Sequence, residues 1–160
     1  MLIYKDIISG DRLLSDEFTK GPVGITYEVE CKMIPVEFAD EDNAALVNNV
    51  IDSNYLQPIT LDKNEYHDRV MKYIWTIDTR LRQAKAENTD PNSDLPKRVD
   101  SFQAGFSAFV KNVLDNFDNY ELYTGSHMSS DGMVVLLSHR GDKKTPYLTF
   151  FRDGLVEEMD

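Results

Sequence analysis

The chain has 160 residues, 41% of them apolar and 28% charged, enough for one globular domain that buries roughly two-thirds of its unfolded surface. Its 28 acidic residues outnumber 17 basic ones, a formal net charge of -11 that repels phosphate backbones and anionic lipid and argues against nucleic-acid binding. The single cysteine, Cys31, excludes an internal disulfide; no apolar run approaches the roughly 18 residues of a membrane span, and the opening MLIYKDIISG carries Lys5 and no small-residue cleavage site, so a cytoplasmic location is expected.

A first strand opens the chain. Gly24 to Ile34 then alternates, with Ile25, Tyr27, Val29, Cys31 and Met33 on one face and Thr26, Glu28, Glu30 and Lys32 on the other, the pattern of a half-buried strand. EFADEDNA, at 37–44, is acidic and aperiodic and reads as a loop. Val47 to Ile59 predicts another strand.

A long helix is expected from Asp62, whose carboxylate can cap while Glu65 completes a capping box. Tyr66, Val70, Tyr73, Ile74, Ile77 and Leu81 fall within about 100° of one another on it, a core-facing stripe. The link ENTDPNSDL follows. Pro96 suits the first turn of a second helix, where Val99, Phe102, Phe106, Phe109, Val110, Val113 and Phe117 make a matching stripe. Two such helices with a short link form an antiparallel hairpin.

Beyond the hairpin, the runs Glu121 to Thr124, Met133 to His139 and Pro146 to Phe151 are separated by SSDG and RGDKKTP, the punctuation of a β-meander. Strands, a helix pair and strands again predict an α+β fold with a largely antiparallel β core. The expected organisation is a single domain over 1–160, with the β core at 1–60 and 118–160 and the helical hairpin at 61–117.

Catalytic signatures are missing: there is no GxSxG, HExxH, P-loop or GxGxxG, and His67, His127 and His139 sit in unrelated contexts, so no enzyme is expected. Cys31 reads as a small core residue. Asp90-Pro-Asn92-Ser-Asp94 begins like a calcium loop but has Leu95 where the tight turn needs Gly and Ser101 where a bidentate Glu belongs. The plainer reading is a polar turn with Asp94 or Ser93 capping the next helix. Asp40, Glu41 and Asp42 form a second acidic cluster, a candidate for weak calcium binding.

Trp75 lies about 150° from the middle of the first helix's stripe, on the face of Asp68, Lys72 and Arg82. It is either incidental, packed against a loop, or a partner contact. The basic residues Lys63, Arg69, Lys72, Arg80, Arg82, Lys85, Lys97, Arg98 and Lys111 make either a solvated helix surface or an electrostatic docking face.

Two stretches carry a family resemblance. TGSHMSSDGMVVLLSHR followed by TPYLTFFRDGL resembles the second signature of the translationally controlled tumour protein family, and MLIYKDIISGDRLLSD resembles that family's opening. The resemblance implies a small β core, a β-tent related to the fold of Rab exchange factors and chaperones, carrying a projecting two-helix hairpin. The zinc-ligand pairs of those exchange factors are absent here.

For function, the resemblance implies a non-enzymatic protein associated with protein synthesis through translation elongation factor subunits, with microtubule stabilisation through tubulin, with weak calcium binding and with growth regulation. The alternative it implies is control of nucleotide exchange or dissociation on a small GTPase. The matching positions Tyr4, Asp6, Ser9, Asp11, Arg12, Ser126 and Arg140 outline a partner-binding groove, and Lys72, Trp75, Arg82 and Lys85 a docking face on the hairpin. Arg12 and Ser126 stand where the family usually has acids, and the acidic loop near EDNAAL is shortened. The two substitutions remove negative charge and count against the GTPase alternative, and the shortened loop counts against regulation by phosphorylation or partner capture there.

Overall fold

The computed structural model describes residues 1–36, 45–141 and 144–159. In chain order the strands are β1 (Leu2–Asp6), β2 (Arg12–Ser15), β3 (Gly21–Val23), β4 (Thr26–Glu30), β5 (Met33–Pro35) and β6 (Leu46–Asn48). The short helix α1 (Asn49–Ser53) and β7 (Gln57–Ile59) lead to the long helices α2 (Lys63–Glu87) and α3 (Leu95–Asp115). β8 (Glu121–Thr124), β9 (Val135–His139), β10 (Pro146–Phe151) and β11 (Leu155–Met159) complete the chain.

The strands form three antiparallel sheets: β11-β1-β2, β3-β4-β10-β9-β8-β7 and the ribbon β5-β6. The predicted meander is present as β8-β9-β10, with Leu122 opposite Leu136 and Leu148 opposite Leu137. Side chains alternate along each strand, so both faces are apolar: Leu122, Leu136 and Phe151 lie toward the hairpin, where Phe151 meets Tyr73 of α2 and Phe109 of α3. Val135, Leu148 and Phe150 lie on the opposite face with Val29 from β4 and are fully enclosed.

Both helix predictions hold. Asp62 and Glu65 make the reciprocal capping box at the start of α2, with bonds of 2.8 and 3.0 Å, and the buried residues of α2 are the predicted stripe, Tyr66, Val70, Tyr73, Ile74, Ile77 and Leu81. On α3, Val99, Phe102, Val110 and Val113 are buried while Phe106 and Phe109 pack at the margin. Phe117, expected on the same stripe, lies beyond the end of α3 at Asp115, in a short 3-10 turn, and packs on Tyr66. Of the two candidate caps of α3, Ser93 accepts the Leu95 N–H at 3.2 Å and Asp94 makes no side-chain cap.

Two strand predictions are corrected. The strand expected over Gly24 to Ile34 breaks after Glu30: Cys31 still donates its N–H to Pro146, but Lys32 turns to Asn49, whose N–H and side-chain oxygen take up the Lys32 backbone at 2.9 and 2.8 Å. Met33 therefore enters the β5-β6 ribbon and is 49% exposed instead of continuing the buried face. Val47 to Ile59 is no single strand, because Asn48 Oδ1 accepts the N–H groups of Val50 and Ile51 and starts α1 between β6 and β7. An asparagine at that position offers the backbone a cap in place of a ladder.

Candidate functional site

The turn between β1 and β2 is built around Asp6, which is 1% exposed. Its carboxylate accepts the Ile8 N–H at 3.1 Å, the Ser9 hydroxyl at 2.8 Å, the Tyr73 hydroxyl at 2.9 Å and the Met133 N–H at 2.8 Å. Ser9 in turn accepts the Asp11 N–H at 3.2 Å. A buried carboxylate is tolerable only when its lone pairs are filled in this way. The turn closes through Gly10, at φ +79°, a conformation that favours glycine.

Asp11 faces the second turn of the site, residues 125–132. Its carboxylate accepts the His127 N–H at 3.2 Å and meets Nδ1 of the His127 ring, which is itself exposed. Gly125 allows this approach, because a Cβ there would overlap the Asp11 side chain. Arg69 of α2 reaches into the same turn, donating through Nη2 to Thr124 Oγ1 and to the carbonyls of Ser129 and Gly132 at 3.2, 2.9 and 3.2 Å. Burial pulls the Arg69 pKa below its ordinary value, while Asp6 and Asp131 oppose that shift. Lys72 adds an ion pair to Asp131 at 3.0 Å.

The proposed groove residues thus divide. Ser9 and Asp11 come together with Asp6; Arg12 turns to Asn54, donating from Nε to its Oδ1 at 2.9 Å, and Ser126, between Gly125 and His127, is exposed. Asp6 and Tyr4 are corrected from surface to interior. Asp6 is filled by its four donors, and Tyr4 is 6% exposed with Lys20 Nζ 5.0 Å from its ring centre and from that of Tyr27. Arg140 belongs to a different region, ion-paired to Glu28 at 2.6 Å and stacked on Tyr147 at 4.1 Å. The five residues of β9 separate it from the Asp6 network, roughly 17 Å at 3.3 Å per residue.

Three cations of the hairpin, Arg69, Lys72 and Arg98, hold β-core loops; Arg98 pairs with the buried Asp153 at 2.9 Å. Trp75 is 74% exposed. Lys72, Trp75, Thr79 and Arg82 follow one helix face by their spacing, with Arg82 paired to Asp78 at 3.0 Å and Lys85 exposed one turn on.

The Asp90 segment is a polar turn, in which Asp90 Oδ1 accepts the Asn92 N–H at 2.9 Å. Asp40, Glu41 and Asp42 lie outside the described residues, and among the described residues no group of three His, Cys, Asp or Glu stands close enough to hold a metal. The pairing of His127 with Asp11 escaped the sequence reading, which placed the histidines in unrelated contexts. Its one signal was Gly125, the small residue that permits the close approach.

Fold and site together define an α+β protein in which a long helical hairpin clamps two turns of an antiparallel β core, leaving a tryptophan on the hairpin's outer face. A family model described as Translationally controlled tumour protein matches residues 1–156. The chain is 37% identical to the translationally-controlled tumor protein homolog of Schizosaccharomyces pombe, over 99% of each chain. It is 40% identical to the homolog of Candida albicans, over 98% of each. The chain belongs to the translationally controlled tumour protein family. Among solved structures, the S. pombe Translationally Controlled Tumor-associated Protein p23fyp superposes with a TM-score of 0.82 over the whole of both chains at 37% identity. The Caenorhabditis elegans translationally-controlled tumor protein superposes with a TM-score of 0.72 at 21% identity, covering 100% of this chain and 99% of that one, a likeness of fold.

Proposed function

We propose that the chain is a non-enzymatic cytoplasmic interaction protein, acting in protein synthesis through translation elongation factor subunits and on microtubules through the hairpin. The observation that carries the reading is Trp75, an aromatic side chain left 74% exposed on a helix whose other large apolar groups are buried or half-buried. Lys72 and Arg82 lie on the same face, each largely exposed although paired to Asp131 and Asp78, and Lys85 lies further along the helix. Trp75 thus supplies an apolar anchor with cations nearby, suited to an acidic protein surface such as that of tubulin. Calcium is proposed as a weak ligand of the acidic residues Asp40, Glu41 and Asp42.

Regulation of a small GTPase is the second reading and has less support. Asp6 and Asp11 turn their carboxylates inward, and Arg12 puts a positive charge at the position after Asp11 where the family usually has an acid. Pull-down with purified elongation factor subunits and co-sedimentation with microtubules test the leading reading. Binding to either at moderate salt supports it, and failure of both rejects it. Release of a fluorescent nucleotide from a small GTPase, measured with and without the protein, tests the second.

A further inference from the structure

The six-stranded sheet has a second face, turned away from the hairpin. On β8, Leu122 and Thr124 are buried and Thr124 meets Arg69 of α2, so by alternation Glu121 and Tyr123 point the other way. There, with Leu137 and Pro146, they floor a cleft of about 580 Å³ whose walls come from Met33 on β5, Leu46 on β6 and Tyr55 after α1.

The walls are unusually bare. Met33 is 49% exposed, Leu46 58% and Tyr55 68%, and exposed apolar groups gathered in one cleft mark a binding surface more often than scattered ones do. Tyr55 also sits at φ +55°, a left-handed conformation that is costly for a bulky side chain. The turn imposing it is held by the Asn54 side chain, which donates to Val50 O at 2.8 Å, and by the Leu56 N–H on Ile51 O at 3.1 Å. Strain kept by surrounding bonds at a cleft wall is a pointer to function.

Charge and backbone together name the occupant. The carboxylates on the cleft are Asp52 and Glu121, neither in an ion pair among the described residues, and none of its lining residues is a lysine or arginine. The floor strands β8, β9 and β10 are each paired on both edges. The strands with a free edge at the rim, β5, β6 and β7, are three residues long, two of them carrying Pro35 and Pro58, so the cleft offers side chains and a poor ladder for an added strand. That favours a helix laid into a groove. We infer that this cleft binds an amphipathic helix whose apolar stripe is flanked by lysine or arginine. The site is separate from the hairpin face proposed above for tubulin and does not depend on it.

The test uses the full chain and a fluorescent peptide of leucine and lysine, about 18 residues long and so about five helical turns, with its leucines on one face. A peptide of the same composition in scrambled order is the control. Expected are amide shift changes centred on residues 33–34, 46–57 and 121–123. Leu46→Lys, Tyr55→Asn and Glu121→Lys should each weaken binding about tenfold or more, while Trp75→Ala leaves it unchanged. Leu46 and Tyr55 are exposed and asparagine tolerates the left-handed turn, so these variants retain the fold, which circular dichroism confirms. Equal binding of the scrambled peptide, shifts confined to the hairpin, or no binding overturns the inference. A concentration-dependent dimer abolished by Leu46→Lys also overturns it, assigning the cleft to a second copy of the chain.

Discussion

The Tyr73 hydroxyl, on α2, donates to the buried Asp6 carboxylate, on β1, at 2.9 Å. This bond ties the helical hairpin to the turn at the centre of the candidate site. A hydrogen bond to an ionised, buried partner is worth about 1.5–3 kcal/mol, and three other donors remain on Asp6 when it is removed. Tyr73→Phe should therefore cost about 1.5 kcal/mol in urea unfolding, near the low end of that range. Asp6→Asn should cost more, because an amide NH2 then confronts a donor such as the Met133 N–H. Equal losses in the two variants contradict this account.

Alkaline pH tests the same packing by another route. Burial holds the phenols of Tyr66 and Tyr73 above their ordinary pKa, and the Asp6 charge adds to the effect at Tyr73. With folded-state values above the unfolded one, the folded protein keeps protons that the unfolded chain releases. Stability is then full below about pH 10 and falls as the pH rises toward the folded values. Tyr66→Phe should flatten the fall by up to about 1.4 kcal/mol per pH unit. Denaturant midpoints between pH 9 and 11 measure it, and a slope indifferent to both tyrosines rejects it.

Cys31 is 3% exposed, its N–H bonded to Pro146 and its thiol pKa pushed up by burial. A protonated, enclosed thiol reacts slowly. Ellman's reagent should leave the native protein unlabelled over the time in which it titrates one thiol in denaturant. Fast labelling of the native protein shows that the β4 end opens.

The long-period signals were the most legible. The stripes of α2 and α3, the capping box at Asp62 and the three strands of the meander were all readable, because each repeats a local rule over many residues. What was not readable depends on a partner distant in sequence. Nothing near Lys32 announces that Asn49 draws it out of the sheet, and nothing near Arg69 announces that it leaves the outer surface to hold Ser129 and Gly132. The candidate site has the same character: Asp6 reads as a surface acid until Tyr73 and Met133 arrive from 67 and 127 residues away.

Trp75 separates a surface anchor from a core residue. At 74% exposure it contributes little burial, so Trp75→Ala should change stability by no more than about 0.5 kcal/mol. Microtubule affinity, measured by co-sedimentation, should fall about tenfold if the residue is an anchor. Unchanged affinity with unchanged stability removes the hairpin face from the proposed function.

The helix starts give the sharpest local comparison. Asp62 accepts the Glu65 N–H at 2.8 Å and receives the reciprocal bond from the Glu65 side chain; Asp62→Ala should cost about 1 kcal/mol. At α3 the neighbouring residues Ser93 and Asp94 both look like caps, yet only Ser93 bonds a helix N–H. Ser93→Ala frees the Leu95 N–H and should cost about 0.5–1 kcal/mol, whereas Asp94→Ala loses only the attraction of its charge to the helix N-terminus, about 0.3 kcal/mol at an exposed site. Thermal unfolding of the three variants in parallel, repeated at high salt, decides it. Salt should erase the Asp94 effect and leave the Ser93 effect in place, and the reverse order of costs would show that Asp94 is the working cap in solution.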